Sequence, residues 1–208
     1  MNVACLFEQS GTFKNVLIGK GHSAVDYDIL NQYGETNFQI DLFKEIENGT
    51  IDFINNYDLV FAFYPCTWFS VNNSFIYNRT LPQFKNWSKE KIDNYIDKRL
   101  EQYHRAKTNL LKLIEHCNVP LIIENPRSKT IENILGMPQC YVSNRAKYGD
   151  ILVKPTYFYC YNGVYISKLD EKPKTLGKDI NHLPKGKRSL IHKDFAENII
   201  NNICFRGD

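Results

Sequence analysis

Two short polar segments carry residue types that could act together on one substrate. Tyr64-Pro65-Cys66-Thr67 closes the apolar run Leu59–Tyr64, and Glu124-Asn125-Pro126 follows the apolar run Val119–Ile123. A cysteine at the mouth of a cleft, near helix dipoles, is where a thiolate can be stabilised and reach a substrate. Burying the charge of a glutamate directly after a buried strand costs free energy, so a functional role for this residue is favoured. If the strands are neighbours, about 4.8 Å apart, Cys66 and Glu124 face one reacting centre. The alternative is a core cysteine beside a structural carboxylate.

A second set of polar residues suggests a nucleoside pocket. Phe7-Glu8-Gln9-Ser10-Gly11-Thr12 is a polar turn whose glycine opens a helix and lets backbone amides approach a ligand. Asp28 and Asp41 end the next two predicted strands, where an acid commonly accepts hydrogen bonds from ribose hydroxyls. Either acid could instead be a helix cap, and the turn could be a plain connection.

These residues must be positioned by strands that alternate with helices. Besides the two runs above, we predict strands at 2–7, 23–27 and 39–41, and antiparallel edge strands near 156–159 and 164–167. Helices are predicted over 13–20, from 41 to about 54, from the Ser88 cap through 114, and over 189–203. The alternation predicts a single α/β domain spanning 1–208, with a doubly wound, mostly parallel, Rossmann-like sheet. Ligands bind such sheets beyond the carboxyl ends of the strands.

The two polar segments resemble the Pro-Cys and Glu-Asn catalytic motifs of the DNA cytosine-5 methyltransferases. Other matches follow in the same order along nearly the whole chain. Phe7–Gly11 matches the cofactor turn, Asp28 and Asp41 match cofactor-contacting acids, and Tyr148-Gly149 precedes a strand. The chain looks closest to short phage-encoded members that lack a large target-recognition domain and carry Pro-Cys-Thr, Glu-Asn-Pro and Lys-x-Thr segments.

The resemblance implies methyl transfer from S-adenosylmethionine to C5 of cytosine, in DNA or a nucleotide. Cys66 would add to C6 while Glu124 donates at N3, and in a duplex the base must be flipped out of the stack. Lys154 completes the implied catalytic set, which needs no metal. The implied cofactor contacts are Phe7, Ser10, Gly11, Thr12, Asp28, Asp41 and Pro65, and the implied substrate contacts are Thr67, Asn125, Pro126 and Thr156.

Departures from the family pattern keep other functions open. The cofactor turn has one glycine, Glu8-Gln9 replace small residues, and Lys154 stands where the family has two arginines. Residues 160–189 form a short basic region, too small for a target-recognition domain. A related pyrimidine-modifying enzyme, or a non-catalytic protein that binds or sequesters a nucleotide or blocks a host defence factor, therefore remains an alternative.

Composition limits the class of protein. Hydrophobic residues make up 43% and charged residues 24% of the 208 residues, which argues against disorder. No apolar run has the length of a membrane span, and no signal peptide is recognised, so we expect a cytoplasmic protein (host cytoplasm if phage-encoded) with six free thiols. The stretch 168–193 is basic and is either a phosphate-contacting edge or a solvated loop. Aromatic residues from Trp68 to Trp87, including Phe69, Phe75, Tyr77 and Phe84, could stack on a base or form a small core.

Overall fold

A seven-stranded sheet organises the chain in this computed structural model, which describes residues 1–69, 81–172, 178–179 and 190–206. The strands of this sheet are β1 (Asn2–Leu6), β2 (Ser23–Asp28), β3 (Phe38–Gln39), β4 (Leu59–Phe63), β5 (Leu121–Pro126), β6 (Cys140–Val142) and β8 (Thr156–Tyr161). Their order is β3-β2-β1-β4-β5-β8-β6. The first five strands are parallel, and β8 runs antiparallel to both of its neighbours. The predicted α/β fold, with a mostly parallel Rossmann-like sheet, is confirmed.

Helices cover both faces of the sheet. Helices α1 (Thr12–Gly19) and α5 (Lys193–Asn201) pack on one face, where Phe13, Leu17, Phe195 and Ile199 meet Phe61 and Phe158. Helices α2 (Leu42–Asn48) and α3 (Lys89–His116) pack on the opposite face of the sheet, and α4 (Lys129–Leu135) contributes Ile131 to the same core. Strand β4 lies between these layers, and its residues 59–62 are fully buried. The continuous apolar run Leu59–Tyr64 is what a central parallel strand requires.

The predicted ends of β5 and of the last helix were wrong, because each depends on pairing with a strand that is distant in the sequence. Strand β5 continues through Pro126, so Glu124 and Asn125 lie within the strand and not after it. Its ladder with β8 pairs Asn125 with Tyr157 and Pro126 with Thr156. The last helix covers Lys193–Asn201, because Ile203–Phe205 forms strand β11 and pairs with β9 (Val164–Ile166).

Smaller corrections concern the edge of the sheet and the second helix. β8 is not the outermost strand, because β6 pairs on its far side, and β9 belongs to a separate two-stranded sheet. The predicted helix to residue 54 stops at Asn48, since Gly49 takes a left-handed conformation at φ 71°, and a 3₁₀ helix, Ile51–Asn56, follows.

Candidate active site

Cys66 lies in a tight turn that packs against α3. Beyond β4, Pro65 precedes a single 3₁₀ turn, Cys66–Trp68. The buried Tyr64 hydroxyl donates to the backbone carbonyl of Ala106 at 2.8 Å, and the Arg99 guanidinium lies 4.5 Å from the centre of the Trp68 ring. These contacts fix the turn against the helix. Cys66 is half-buried and Thr67 is exposed, so the turn faces outward at the carboxyl edge of the sheet.

Glu124 and Asn125 reach the same edge from β5. Phe63 of β4 is paired with Glu124, and Asn125 Nδ2 donates to the Tyr64 carbonyl at 3.0 Å. That hydrogen bond ties the Cys66 turn directly to the neighbouring strand. Within the described residues, Glu124 Oε1, Asn125 Oδ1 and Thr156 Oγ1 are buried and have no hydrogen-bond partner. Buried polar atoms of this kind call for a partner, which a bound ligand could supply.

Lys154 brings a positive charge to this group. It is 9% exposed and lies in the short connection between β7 (Leu152–Val153) and β8. Burial raises the pKa of the Cys66 thiol, the charge of Lys154 acts to lower that pKa, and the charge of Glu124 raises it further. The free protein therefore does not provide the lowered thiol pKa that a stabilised thiolate would need. Desolvation outweighs the lysine, and the thiol keeps its proton at neutral pH.

The predicted cofactor turn lies beside the Cys66 turn, because β1 pairs with β4. Phe7 adopts a positive φ of 60°, and its ring packs edge-on against Tyr64 at 5.1 Å and Phe43 at 5.9 Å. Gly11 is the N-cap of α1, with φ 64°. The positive φ favours glycine at this position, and a Cβ on Gly11 would lie 2.8 Å from Glu35 Oε2, so a larger residue would also push the Glu35 carboxyl group aside. The hydroxyls of Ser10 and Thr12 lie 3.1 Å apart.

Glu8 is a functional candidate that the sequence analysis missed. Its side chain is 5% exposed, and Oε1 accepts a hydrogen bond from Phe13 N at 2.8 Å while Oε2 accepts from Lys14 N at 3.4 Å. These are amides of the first turn of α1. Burial raises the pKa of the Glu8 carboxyl to about 7. The sequence signal was an acid shortly before a helix whose N-cap is glycine and so cannot cap with a side chain.

A buried ion pair holds the segment after β2 against this turn. Lys14 Nζ lies 3.3 Å from Asp26 Oδ2 and 3.4 Å from Glu35 Oε2, and it donates to the Glu35 carbonyl. Asp26 is fully buried, and its Oδ1 accepts from Asn37 N at 2.7 Å. Residues 35–37 are therefore fixed beside the cofactor turn.

The two predicted cofactor acids have different surroundings. Asp28 is the last residue of β2 and is 7% exposed; its Oδ1 accepts from Leu30 N at 2.7 Å, and burial raises its pKa. Asp41 is the N-cap of α2, and its Oδ1 accepts from Phe43 N and Lys44 N at 3.1 and 3.4 Å. Asp41 thus performs the capping role that was its alternative, while Asp28 lies at the strand end.

Comparisons with known proteins add little to this geometry. No protein-family model and no curated protein matches the chain. Among solved structures, WbdD, co-crystallised with the kinase inhibitor LY294002, is similar with a TM-score of 0.36 and 14% identity. The alignment covers 83% of this chain and 38% of the WbdD chain. A TM-score this low carries no functional information.

The aromatic residues after Cys66 and the basic stretch 168–193 lie only partly within the residues that the structure describes. Phe75, Tyr77 and most of the basic stretch lie outside the described residues. Strand β10 (Lys178–Asp179) pairs with β7, which brings the backbone of that stretch beside the segment leading to Lys154. Phe84 and Trp87 pack on each other, 5.2 Å between ring centres, and Phe69 packs on Tyr64 and Tyr103. Phe69 thus belongs to the main core, and Phe84 and Trp87 form a separate aromatic group with Tyr95. Stacking on a base stays a prediction.

A cleft of about 780 Å³ lies at the outer edge of β6, bordered by Ser167–Glu171, and Cys66 is not part of its wall. In residues 1–69, 81–172 and 190–206, no group of three His, Cys, Asp or Glu side chains is arranged to hold a metal ion. No helix in these ranges is long and apolar enough to cross a membrane. All six cysteines are free thiols.

Proposed function

We propose that the protein transfers a methyl group from S-adenosylmethionine to C5 of cytosine, with Cys66 as nucleophile and Glu124 as acid. The observation that carries this proposal is the group formed by Cys66, Glu124 and Lys154. It lies at the carboxyl edge of the sheet, with unpartnered polar atoms on Glu124, Asn125 and Thr156. A purely structural cluster has no need of a nucleophile next to buried polar atoms that lack partners.

The chemistry of each side chain suits this reaction. The Cys66 thiolate forms a bond to C6 of the ring, and the electron pair displaced from the C5–C6 double bond makes C5 nucleophilic. Glu124 hydrogen-bonds or donates a proton at N3, which accommodates negative charge on the ring. S-adenosylmethionine, when bound, would supply the methyl group to C5 and leave as the neutral thioether. The C5 proton then passes to solvent while the C6–S bond breaks, which restores the C5–C6 double bond and releases Cys66 as a thiolate; any proton given to N3 returns to Glu124.

The residues at the ends of β1 and β2 suit such a cofactor. Asp28 places a carboxylate where ribose hydroxyls are commonly bound, and Phe7 and Pro65 offer apolar surface between the two turns. Gly11, Ser10 and Thr12 edge the turn. Glu8, Asp26 and Asp28 bring three carboxyl groups to this region and Lys14 brings one ammonium, an excess of acidic groups that favours a ligand bearing the positive charge of a sulfonium.

The substrate would enter beside Lys154. The Lys154 ammonium can face an anionic group of the substrate or the reacting ring. Thr67, Pro126 and Thr156 border the same edge of the sheet. Asn125 has a supporting part, since its amide holds the Tyr64 carbonyl and so positions the Cys66 turn. We propose cytosine in DNA or in a nucleotide as the substrate class.

A second candidate is a nucleotide-binding protein that performs no methyl transfer. The raised pKa of Cys66 favours this candidate, because a protonated thiol is a weak nucleophile. The same site could also modify a pyrimidine in another way. Covalent capture of a cytosine analogue separates these functions, since only the proposed reaction joins the base to Cys66 and transfers a methyl group.

The test uses single-stranded oligonucleotides and free nucleotides that carry 5-fluorocytosine, each offered with S-adenosylmethionine. We expect a methylated covalent adduct on Cys66, because fluorine at C5 blocks the final proton loss. Cys66→Ser should form no adduct yet still bind cofactor, whereas Cys140→Ser, a change at another half-buried thiol, should react like wild type. Asp28→Ala should weaken cofactor binding by a few kcal/mol at most. Absence of any adduct with every substrate, in a protein that still binds nucleotide, would favour the second candidate.

A further inference from the structure

The N-terminus of α1 is already occupied by a carboxylate of the protein itself. In many nucleotide-binding turns the first amides of this helix receive a phosphate group. Here the amides of Phe13 and Lys14 donate to the buried Glu8 carboxylate at 2.8 and 3.4 Å. Gly11 stands at the N-cap and offers no side-chain acceptor, so Glu8 supplies the cap from within the turn. An incoming phosphate would have to displace Glu8.

A second carboxylate lies on the other side of the same turn. Glu35 Oε2 is 2.8 Å from the position of a Cβ on Gly11, and it accepts from Asn15 Nδ2 at 3.1 Å. The hydrogen bond from Asn15 lowers the pKa of Glu35, which is therefore ionised at neutral pH. The buried Lys14 holds this segment in place. The turn is thus flanked by two carboxyl groups, Glu8 inside and Glu35 outside.

We propose that Glu8 is a specificity-determining residue that closes the turn to phosphate, so that the site accepts a cationic nucleoside such as a sulfonium and rejects phosphorylated adenine cofactors. A phosphate at this turn would find its amide donors occupied by Glu8 and would meet two carboxyl groups, of which Glu35 is paired with Lys14; bringing like charges together is unfavourable. A sulfonium ligand meets neither obstacle. The identity of the cofactor rests on the proposed function, whereas the exclusion of phosphate does not.

Two substitutions at position 8 separate the two obstacles. Glu8→Ala frees the amides of Phe13 and Lys14, while Glu8→Gln keeps an oxygen acceptor on them and removes only the charge. Calorimetric titration with inorganic pyrophosphate at pH 8 should give at least about tenfold tighter binding to Glu8→Ala than to wild type. Binding to Glu8→Gln should be tighter than to wild type but weaker than to Glu8→Ala, because only the charge is removed and an acceptor still occupies the amides. Circular dichroism and urea unfolding establish that each variant is folded, and Glu8→Ser replaces Glu8→Ala if the alanine protein is not.

The pyrophosphate titrations can overturn the proposal in two ways. Equal pyrophosphate affinity of wild type and a folded Glu8→Ala or Glu8→Ser protein would overturn the proposal, as would a gain in Glu8→Gln as large as that in Glu8→Ala. A parallel titration of wild type with S-adenosylhomocysteine tests the cofactor separately. If that ligand fails to bind while Glu8→Ala gains pyrophosphate, the proposed function is refuted and the role of Glu8 stands.

Discussion

Glu8 should make the stability of this protein fall between about pH 4.5 and pH 7. Its carboxyl is 5% exposed, and burial raises its pKa from 4.5 to about 7. In this window the folded protein keeps a proton that the unfolded chain releases. The stabilising contribution is complete below pH 4.5 and is lost as the pH rises through 7. A shift of that size corresponds to about 3 kcal/mol of unfolding free energy.

The variant Glu8→Gln isolates this contribution. Glutamine keeps an oxygen acceptor for Phe13 N but has no charge to bury, so the difference in unfolding free energy between the variant and wild type should grow by about 3 kcal/mol, in favour of the variant, from pH 4.5 to pH 8. Urea unfolding at both pH values measures this double difference, in which the other titrating groups cancel. Glu35→Gln is the matched control. The pKa of Glu35 is lowered, so that variant should lose stability relative to wild type as the pH rises. A Glu8→Gln difference that stays constant with pH would refute the reasoning.

Two further predictions concern the Cys66 turn. Alkylation of Cys66 by iodoacetamide, followed by peptide mass spectrometry, should show a thiol pKa above its ordinary value. Lys154→Met should move the pH profile to higher pH and Glu124→Gln to lower pH, and identical profiles would show that these charges do not act on Cys66. Asn125→Ala removes the hydrogen bond to the buried Tyr64 carbonyl, which should cost about 1–3 kcal/mol of stability in urea unfolding and slow adduct formation at Cys66. Unchanged stability and unchanged adduct formation would exclude a positioning role for Asn125.

The central part of the fold could be predicted because its signals are local. The run Leu59–Tyr64 is apolar at every position, which in a chain with alternating helices indicates a strand buried on both faces. Ser88 indicated the start of α3, and its hydroxyl does accept from Lys91 N at 3.2 Å. Errors arose where pairing is distant. Strand β5 extends through Pro126 because of β8, and the last helix ends early because Ile203–Phe205 pairs with Val164–Ile166.

The candidate site could also be predicted only in part. The proximity of Cys66 and Glu124 followed from the adjacency of two parallel strands, although Glu124 lies within β5 and not beyond its end. The surroundings of the side chains did not follow, because desolvation depends on everything packed nearby. Glu8 shows the difficulty most clearly. Its contact with the α1 amides depends on the positive φ of Phe7, which redirects the chain after β1 and which a non-glycine residue rarely adopts.

The electrostatics of the site argue that Cys66 would be activated only when substrate is bound. In the free protein, burial and the charge of Glu124 both favour the protonated thiol, and Lys154 alone of the three acts against it. Glu124 can donate at N3 only while it carries a proton, and a protonated Glu124 has no charge to raise the pKa of Cys66. Lys154 still acts to lower that pKa in the complex, and a cationic cofactor would lower it further. Reactivity would therefore depend on the assembled complex, and an unliganded thiol that resists alkylation at neutral pH is what this mechanism requires.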